Sequence, residues 1–427
     1  MATFLVATLE IDSALASGAC QASRDLFRPA SEAELGRATF EDAAALSRSI
    51  TLRQPGQILF GNGCSEFIAQ RFSARGLRHL FVATSPGARQ RCGALLDSIR
   101  GDGLKVTVFD GITSEPTLDL FESCLVAARQ VNPDGIVGLG GGSALDVAKL
   151  VAALLNSSQT VDEILGTRQL EGRSTFLACI PTTAGTGSEV SPNAILLDES
   201  ARSKRAAISP HLVPDIACVD PLLTHSLPPF VTAATGLDAL CHCIEAFANL
   251  SAHPMVDLHA LEGIRRISRG LPAVLVRGGD VEARSNLALG SLYGGLCLGP
   301  VNTAAVHALA YPLAGEFGVS HGVSIAVLLP HVLRFNLPVA PARYAAIAEA
   351  LGVRPTGSTF ETAGRGLDRL AALVAHCPVP RRLSALGVPR EALPRLAQSA
   401  LTVTRLLKNN PRPVTEANVI AIYEAAF

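Results

Sequence analysis

Apolar residues along this chain follow two different patterns, and the pattern changes near residue 221. Between about Arg53 and that point, short apolar runs rich in β-branched residues alternate with segments of helical periodicity. Buried strands separated by helices predict an α/β fold with a mostly parallel sheet, covered on both faces. Strands are expected at His79–Thr84, Lys105–Phe109, Gly135–Leu139, Phe176–Ile180 and Ile216–Val219, and helices at Ser65–Ala74, Ala88–Arg100 and Leu118–Val131.

The second pattern is purely helical. After Pro221 the strand signal ends, and segments of helical periodicity follow one another, separated by Gly and Pro. We therefore expect an α/β domain at residues 51–220 and an all-α domain at 221–427. Residues 1–50 are rich in Ala and Ser and are interpreted as an N-terminal extension, in which Ser31 could open a short helix. The predicted C-terminal helices are 230–250, 255–269, 280–297, 301–315 and 321–336.

Composition limits the choice of partners and compartment. The 427 residues are 48% hydrophobic and carry a net charge of −1, which gives no electrostatic reason to expect nucleic acid or an anionic membrane surface. No apolar run is expected to reach the length of a transmembrane helix. The ten cysteines are scattered without disulfide-type spacing, and the first residues do not resemble a signal peptide. These features favour a cytoplasmic protein.

A glycine-rich turn follows the predicted strand Gly135–Leu139. The glycines at 140, 141 and 142 remove side chains where a ligand or another backbone comes close, and Ser143 could then cap a helix. A free helix N-terminus suits a pyrophosphate, so we favour phosphate binding for the three glycines. For Asp146 we favour the structural interpretation, in which it completes a capping box with Ser143, over a contact with the cofactor.

A second loop, Pro181–Val190, follows the strand Phe176–Ile180 and is rich in hydroxyl groups and glycine. Both loops lie at the carboxyl ends of predicted parallel strands. Ligands of open α/β sheets bind at this edge. The two loops are therefore expected to share one binding site.

Four residues of the helical part have the composition of a metal site. Asp238 and His242 are four residues apart, which places them on one face of a helix. His307 and His321 lie on the segments that follow. Three imidazoles and one carboxylate suit Fe(II), Zn(II) or Ni(II) and fit Ca(II) or Mg(II) poorly. A lone helical histidine is more often a satisfied polar residue, but a buried carboxylate needs a partner, and these histidines could supply it.

Cys241 and Cys243 flank His242 and raise the alternative of a thiolate zinc site. Neighbouring residues on a helix point about 100° apart, so these three side chains cannot converge on one ion. We interpret both cysteines as core residues.

Together, four strings resemble the iron-containing (group III) alcohol dehydrogenase family, in the dehydroquinate synthase-like superfamily. The resemblance runs from about residue 53 to the C-terminus. It implies a dinucleotide-binding α/β domain, an all-helical domain and an active site in the cleft between them. The implied reaction is hydride transfer between a nicotinamide cofactor and a small alcohol, aldehyde or ketone. The strings are Gly-Gly-Gly-Ser-Ala-Leu-Asp-Val-Ala-Lys, Pro-Thr-Thr-Ala-Gly-Thr-Gly-Ser-Glu-Val, Gly-Leu-Asp-Ala-Leu-Cys-His-Cys-Ile-Glu-Ala and the segment from His307 to His321.

The resemblance also assigns roles to residues. It implies that Fe(II), with Zn or Ni as alternatives, is held at the catalytic centre, and that NAD or NADP binds along the two loops. A homo-oligomer is implied as well. The implied metal ligands are Asp238, His242, His307 and His321; the implied pyrophosphate contacts are Gly141, Gly142 and Ser143, and Thr182, Thr183 and Lys204 lie along the nucleotide.

The chain departs from the family pattern at two positions. Tyr311 stands where members often carry a second histidine, four residues after the third ligand, that is thought to relay a proton. Tyrosine relays protons poorly at neutral pH, although it can hydrogen-bond a substrate or ribose hydroxyl. Ser85 stands after the strand His79–Thr84, where NAD-preferring members often carry an acidic residue. Serine does not repel a 2′-phosphate, so NAD and NADP both stay open, with NAD the commoner choice of the family.

Two alternatives to a simple alcohol dehydrogenase stay open at this point. The same scaffold carries glycerol dehydrogenase, maleylacetate reductase and dehydroquinate synthase, although the metal motif favours the alcohol dehydrogenase branch. A degenerate, non-catalytic assembly protein is the other alternative. The sequence leaves the substrate open, as it does the role of the segment 405–410 near the cleft.

Overall fold

The computed structural model describes residues 42–113, 115–165, 169–200 and 203–427. Most of the predicted N-terminal extension, including Ser31, lies outside these residues. Its last part forms helix α1 (Asp42–Ser47). The guanidinium of Arg48 donates hydrogen bonds to the carbonyls of Ser251 and Ala252, so the end of the extension is tied to the helical part of the chain.

In the described residues, a six-stranded parallel sheet forms the first part of the chain, with strand order β1-β8-β5-β4-β2-β3. All five predicted strands are present, two of them one residue longer than predicted. Strand β1 was not predicted; it lies at one edge and pairs with β8. The strands are β1 (Gln57–Phe60), β2 (His79–Thr84), β3 (Lys105–Phe109), β4 (Gly135–Gly140), β5 (Phe176–Pro181) and β8 (Ile216–Val219).

A separate antiparallel hairpin was also not predicted. Strands β6 (Asn193–Asp198) and β7 (Ser203–Ile208) pair with each other outside the main sheet. Burial alternates along β6, because one face packs on the α/β core and the other faces away from it. The hairpin follows the second glycine loop directly and holds its end in place.

Helices cover both faces of the sheet. The predicted helix Ala88–Arg100 is two helices that meet at Cys92, and the predicted helix at 65–74 begins as a 3₁₀ turn, Cys64–Phe67. The prediction for Leu118–Val131 is confirmed. The helices are α2 (Ile68–Ser73), α3 (Pro86–Arg91), α4 (Gly93–Gly101), α5 (Leu118–Val131), α6 (Gly142–Leu154) and α7 (Val161–Ile164).

From Pro229 onward the described chain is helical, so the predicted fold class is confirmed. Its centre is α8, whose residues from 236 to 247 are all buried. The other helices pack around it. They are α8 (Pro229–Phe247), α9 (Pro254–Val276), α10 (Val281–Leu298), α11 (Ala305–Phe317), α12 (His321–Asn336), α13 (Pro341–Ala350), α14 (Thr359–His376), α15 (Leu393–Leu401), α16 (Thr404–Leu407) and α17 (Glu416–Ala425).

Two of these helical segments are long and apolar enough to cross a membrane, so the expectation that no apolar run reaches that length was wrong. They are Pro229–Phe247 and His321–Val339. Within the protein, 83% and 72% of their apolar windows are buried. Both segments therefore pack as core helices.

The second glycine loop joins the α/β part to the helical part by direct backbone contact. Gly187 has a φ of 60°, and a Cβ at this position would lie 2.2 Å from the Cα of Gly295 on α10. A side chain at either position would force the two backbones apart. This contact holds the second glycine loop directly against helix α10.

Candidate metal centre and cofactor cleft

The four predicted metal ligands lie together around Asp238, and the ligand atoms of Asp238, His307 and His321 are all within 4.8 Å of one another. Oδ1 of Asp238 lies 3.7 Å from Nε2 of His242, and it lies 3.5 Å from Nε2 of both His307 and His321. The rings of His242 and His307 stack with their centroids 4.7 Å apart. Three helices, α8, α11 and α12, carry the candidate ligands, and the two on α8 share a face because they are one turn apart.

The donor set fits a bound divalent ion. Among the described residues, Oδ1 of Asp238 and Nε2 of His307 are buried without a hydrogen-bond partner. Buried polar atoms are rarely left unpaired. Ligand atoms around a tetrahedral ion with bonds of about 2.1 Å lie roughly 3.4 Å apart, close to the distances from Oδ1 of Asp238 to the three imidazoles. The atoms without partners therefore face the position that an ion would take.

Electrostatics favour the ligand forms of Asp238, His242 and His321. His307 differs: burial opposes its protonation, but Cys241, Asp238 and Glu245 raise its pKa well above the usual value. Burial opposes ionisation of Asp238, but the imidazoles of His242, His321 and His307 hold the pKa of its carboxyl well below its usual range. Burial lowers the pKa of His242 and lowers that of His321 well below its usual value. A deprotonated carboxylate and neutral imidazoles are the forms that bind metal ions.

Glu245 supports the site but was not predicted. Its Oε2 lies 2.6 Å from Nδ1 of His307, and its Oε1 accepts a hydrogen bond from the backbone N–H of Val306 at 2.6 Å. A carboxylate on the second ring nitrogen orients a ligating histidine and fixes its tautomer. Its position was readable from the sequence, because Asp238, His242 and Glu245 are spaced by four and three residues on one helix face.

The cysteines beside His242 are buried, as expected. Sγ of Cys241 lies 3.8 Å from Nδ1 of His307, close enough for a geometric cluster of Cys241, Glu245 and His307. Burial raises the pKa of the Cys241 thiol well above its usual value, so it stays protonated. Since Nδ1 of His307 is occupied by Glu245, this cluster orients the His307 ring and leaves no free His307 nitrogen for a second ion on that side.

The first glycine loop differs from the prediction in one respect. Helix α6 begins at Gly142, with Gly141 as its N-cap and no side-chain capping bond. The prediction of a capping box formed by Ser143 and Asp146 was therefore wrong. Asp146 instead accepts hydrogen bonds from Ser188 Oγ at 2.5 Å and from the backbone N–H of Ile195 at 3.0 Å. Tertiary contacts, rather than local capping, decide its orientation.

Lys149, one turn further along α6, is fully buried and fixes the second loop. Its ammonium group donates to the carbonyl oxygens of Ser188 and Ser191, each at 2.8 Å, and to that of Asn193. Three donors thus meet three backbone acceptors. Burial lowers the pKa of Lys149, and the nearby Asp146 carboxylate opposes that shift.

The two loops lie against each other. The backbone N–H of Thr182 donates to the carbonyl of Gly140 at 2.9 Å, and a Cβ at position 141 would lie 3.5 Å from Thr183. Ser85 caps helix α3 by accepting a hydrogen bond from the N–H of Ala88. Among the described residues, Ser85, Thr182 and Thr183 do not line the main cavity, whereas Gly142, Ser143 and Asp146 do.

A cavity of about 330 Å³ connects the glycine loop to the metal cluster. Tyr311 and Lys204 also line it. Tyr311 is 7% exposed, its ring centroid lies 6.2 Å from that of His321, and its hydroxyl accepts a hydrogen bond from Arg405 at 3.0 Å. Lys204 forms an ion pair with Glu115 at 2.9 Å. Besides the loop and metal residues, the cavity is lined by apolar side chains that include Phe230, Val231, Ala234 and Leu298.

The fold and the cleft together define a two-part, dinucleotide-type enzyme with a candidate metal centre facing a glycine loop. Comparison with known families is consistent with this class. The family model described as "Iron-containing alcohol dehydrogenase" matches residues 55–221, and the model "Fe-containing alcohol dehydrogenase family, C-terminal" matches residues 232–427. The chain belongs to the iron-containing alcohol dehydrogenase family.

Individual relatives agree with the family. Long-chain-alcohol dehydrogenase 1 of Geobacillus thermodenitrificans is 40% identical over 375 residues, which cover 86% of this chain and 94% of the relative. The crystal structure of a 1,3-propanediol oxidoreductase superposes with a TM-score of 0.84 at 32% identity, covering 89% of this chain and 100% of the other. A sulfoacetaldehyde reductase from Bifidobacterium kashiwanohense, solved with NAD⁺, gives a TM-score of 0.80 at 27% identity, covering 88% and 98%. This chain is accordingly an enzyme of the alcohol dehydrogenase and aldehyde reductase type.

Proposed function

We propose that this chain is an NAD-dependent alcohol dehydrogenase or aldehyde reductase that uses Fe(II) held by Asp238, His242, His307 and His321. One observation carries the proposal: the four side chains meet around buried, unpartnered atoms, in the same cavity as the glycine loop. The family and the NAD⁺ complex of the sulfoacetaldehyde reductase support iron and NAD. NADP, Zn(II) and Ni(II) are the alternatives to be tested.

The cofactor is assigned to the loop side of the cavity. Gly142 and Ser143 begin helix α6, whose free backbone N–H groups suit a pyrophosphate. Gly141 and Thr183 lie side by side behind them. When bound, the metal would act as a Lewis acid on the alcohol or carbonyl oxygen, and the nicotinamide would carry the hydride.

The protein's own residues orient the reactants and exclude water. His242, His307 and Asp238 are nearly fully buried, so the reacting oxygen is placed where solvent has little access. Glu245 keeps Nδ1 of His307 engaged and leaves Nε2 for the ion. Tyr311 and Lys204 line the same cavity, where they can hydrogen-bond a substrate or ribose hydroxyl. We also propose a cytoplasmic homo-oligomer, which rests on the scattered cysteines and the family resemblance.

The proposal is tested by metal analysis and kinetics on the purified chain. We expect one ion per chain after anaerobic incubation with Fe(II), and nicotinamide oxidation with simple aldehydes that is faster with NADH than with NADPH. Zn(II) and Ni(II) are added in parallel. A bound ion with no net change in nicotinamide absorbance would favour a synthase-type reaction, and the absence of any bound ion would favour a non-catalytic assembly protein.

A further inference from the structure

A second cavity, of about 270 Å³, adjoins the first. Lys204, Tyr311 and Arg405 line both cavities and thus form the wall between them. The first cavity holds the metal cluster and apolar side chains, whereas the second is lined mainly by polar ones. Its remaining lining residues are Pro312, Ser399, Thr402, Val403 and Thr404.

The second cavity has an unbalanced positive charge. Lys204 and Arg405 both line it, and no acidic side chain of the described residues does. Lys204 is balanced from the other side, since its ammonium group forms an ion pair with Glu115 in the first cavity. Arg405 is not balanced: within the described residues its guanidinium makes its one hydrogen bond to the neutral hydroxyl of Tyr311.

The geometry of Arg405 suits recognition of a small anion. Its guanidinium lies over the ring of Tyr311, with Cζ 5.8 Å from the ring centroid, and this contact holds the group at the wall. A guanidinium has five N–H donors in a planar fork that matches a carboxylate, and one hydrogen bond to Tyr311 leaves most of that fork available. The ring of Tyr311 is also a neighbour of His321, and the centroids of these two rings lie 6.2 Å apart. Tyr311 therefore contacts Arg405 and lies close to the metal cluster.

We propose that the preferred substrates carry a carboxylate at the end remote from the reacting carbon, and that Arg405 binds it. This inference rests on the proposed function, since the other end of the molecule is the carbonyl or hydroxyl that reacts. The carbon chain would cross the apolar cavity, with its carboxylate in the second cavity. In the reductive direction, hydride passes from NADH to the aldehyde carbon and a proton joins its oxygen, so an oxo acid gives a hydroxy acid and NAD⁺.

The test compares charged and neutral substrates of equal length. Terminal oxo acids of four to six carbons are measured against the unsubstituted aldehydes of the same length, with NADH and the metal-loaded full chain. For the best-fitting length we expect kcat/KM to be higher for the oxo acid, and we expect this advantage to shrink as salt concentration rises. Equal or lower kcat/KM for every oxo acid would overturn the proposal.

Variants of Arg405 test whether this residue causes the higher kcat/KM for oxo acids. In Arg405→Leu, kcat/KM for the oxo acid should fall about 10- to 100-fold more than kcat/KM for the neutral aldehyde, as expected for loss of a charged hydrogen bond to the carboxylate. Arg405→Lys should recover part of the loss because it restores the charge without the fork. The matched control is Arg395→Leu, since Arg395 bonds Glu316 on the surface and lines neither cavity.

Two outcomes separate this inference from the proposed function. If Arg405→Leu lowers kcat/KM equally for both substrate classes or raises KM for NADH, Arg405 serves the cofactor or the fold, and the inference fails while the dehydrogenase stands. If no substrate is turned over, calorimetric binding of the four-carbon dicarboxylate succinate still tests the site. Binding lost in Arg405→Leu but kept in Arg395→Leu would support the anion site, and no binding to the unmodified chain would overturn it.

Discussion

Two clusters of buried charge lie near the cleft, and they differ in how completely their atoms are paired. Around Lys149, in the α/β part, three N–H donors meet three backbone carbonyls, and Asp146 lies close by with both carboxylate oxygens bonded. Around Asp238, in the helical part, buried ligand atoms lack partners among the described residues. We call the cluster around Lys149 the paired cluster and the cluster around Asp238 the unpaired cluster. Buried polar atoms that are all hydrogen-bonded stabilise the fold, whereas buried polar atoms without a partner indicate a place for a ligand.

Removing a ligand from the unpaired cluster should have the largest effect. In His307→Ala, we expect loss of metal retention and a fall in turnover of about a thousandfold or more, since the Lewis acid contributes several kcal/mol to the transition state. Binding of NADH, followed by fluorescence, should be largely unchanged because the glycine loops are separate. His376→Ala, at an exposed helix end, is the control. Undiminished activity of a metal-depleted His307→Ala variant would refute the metal centre.

A substitution in the paired cluster should lower the stability of the protein rather than its metal binding. Lys149→Met leaves three carbonyls and the Asp146 carboxylate without their cation, so we expect the free energy of unfolding to fall by about 3–5 kcal/mol. Denaturant unfolding measures the loss, and the exposed Lys408→Met is the control. The chain that remains folded should still bind one ion. If Lys149→Met were as stable as the parent but no longer bound metal, the cluster around Lys149 would serve metal binding rather than the stability of the fold.

Glu245 belongs to the unpaired cluster although both of its oxygens are bonded. Glu245→Gln keeps the size of the side chain but weakens its hold on Nδ1 of His307. We expect the metal affinity, measured by competition with a chelator, to fall about 10- to 100-fold. Glu262→Gln, which alters only two surface ion pairs, with Arg265 and Arg266, should leave the metal affinity unchanged. An unaltered affinity in Glu245→Gln would mean that Glu245 serves packing alone.

The smallest effect is expected at His331, which lies within α12 outside both clusters. Burial, with a contribution from Arg334, lowers its pKa to about 4, below the usual value of 6.5. The unfolded chain therefore binds the proton more readily, and stability is complete above pH 6.5 and is lost as the pH falls towards 4. Because the side chain is partly exposed, we expect His331→Gln to remove only about 1–2 kcal/mol of this pH dependence, measured by denaturant unfolding at pH 4.5 and 7.5. If the free energy of unfolding changed with pH in the same way in the parent and in His331→Gln, the lowered pKa of His331 would be contradicted.

The sequence located the unpaired cluster around Asp238 correctly, but it did not predict the contacts of the paired cluster around Lys149. Strand and helix periodicity located most elements, and the spacing of Asp238 and His242 located the metal centre, because both signals are local. Asp146 was misassigned because its partners lie in the second loop and on β6. Arg405 could be placed near the cleft but not given a role, since its contact with Tyr311 joins segments 94 residues apart. Strand β1 was missed because it is a short edge strand, and the β6–β7 hairpin because it lies outside the main sheet.

The contact of Gly187 with Gly295 has a consequence for how the cleft opens. Two backbones packed this closely cannot slide past each other without first separating. Opening and closing for cofactor exchange would therefore turn about this point as a hinge.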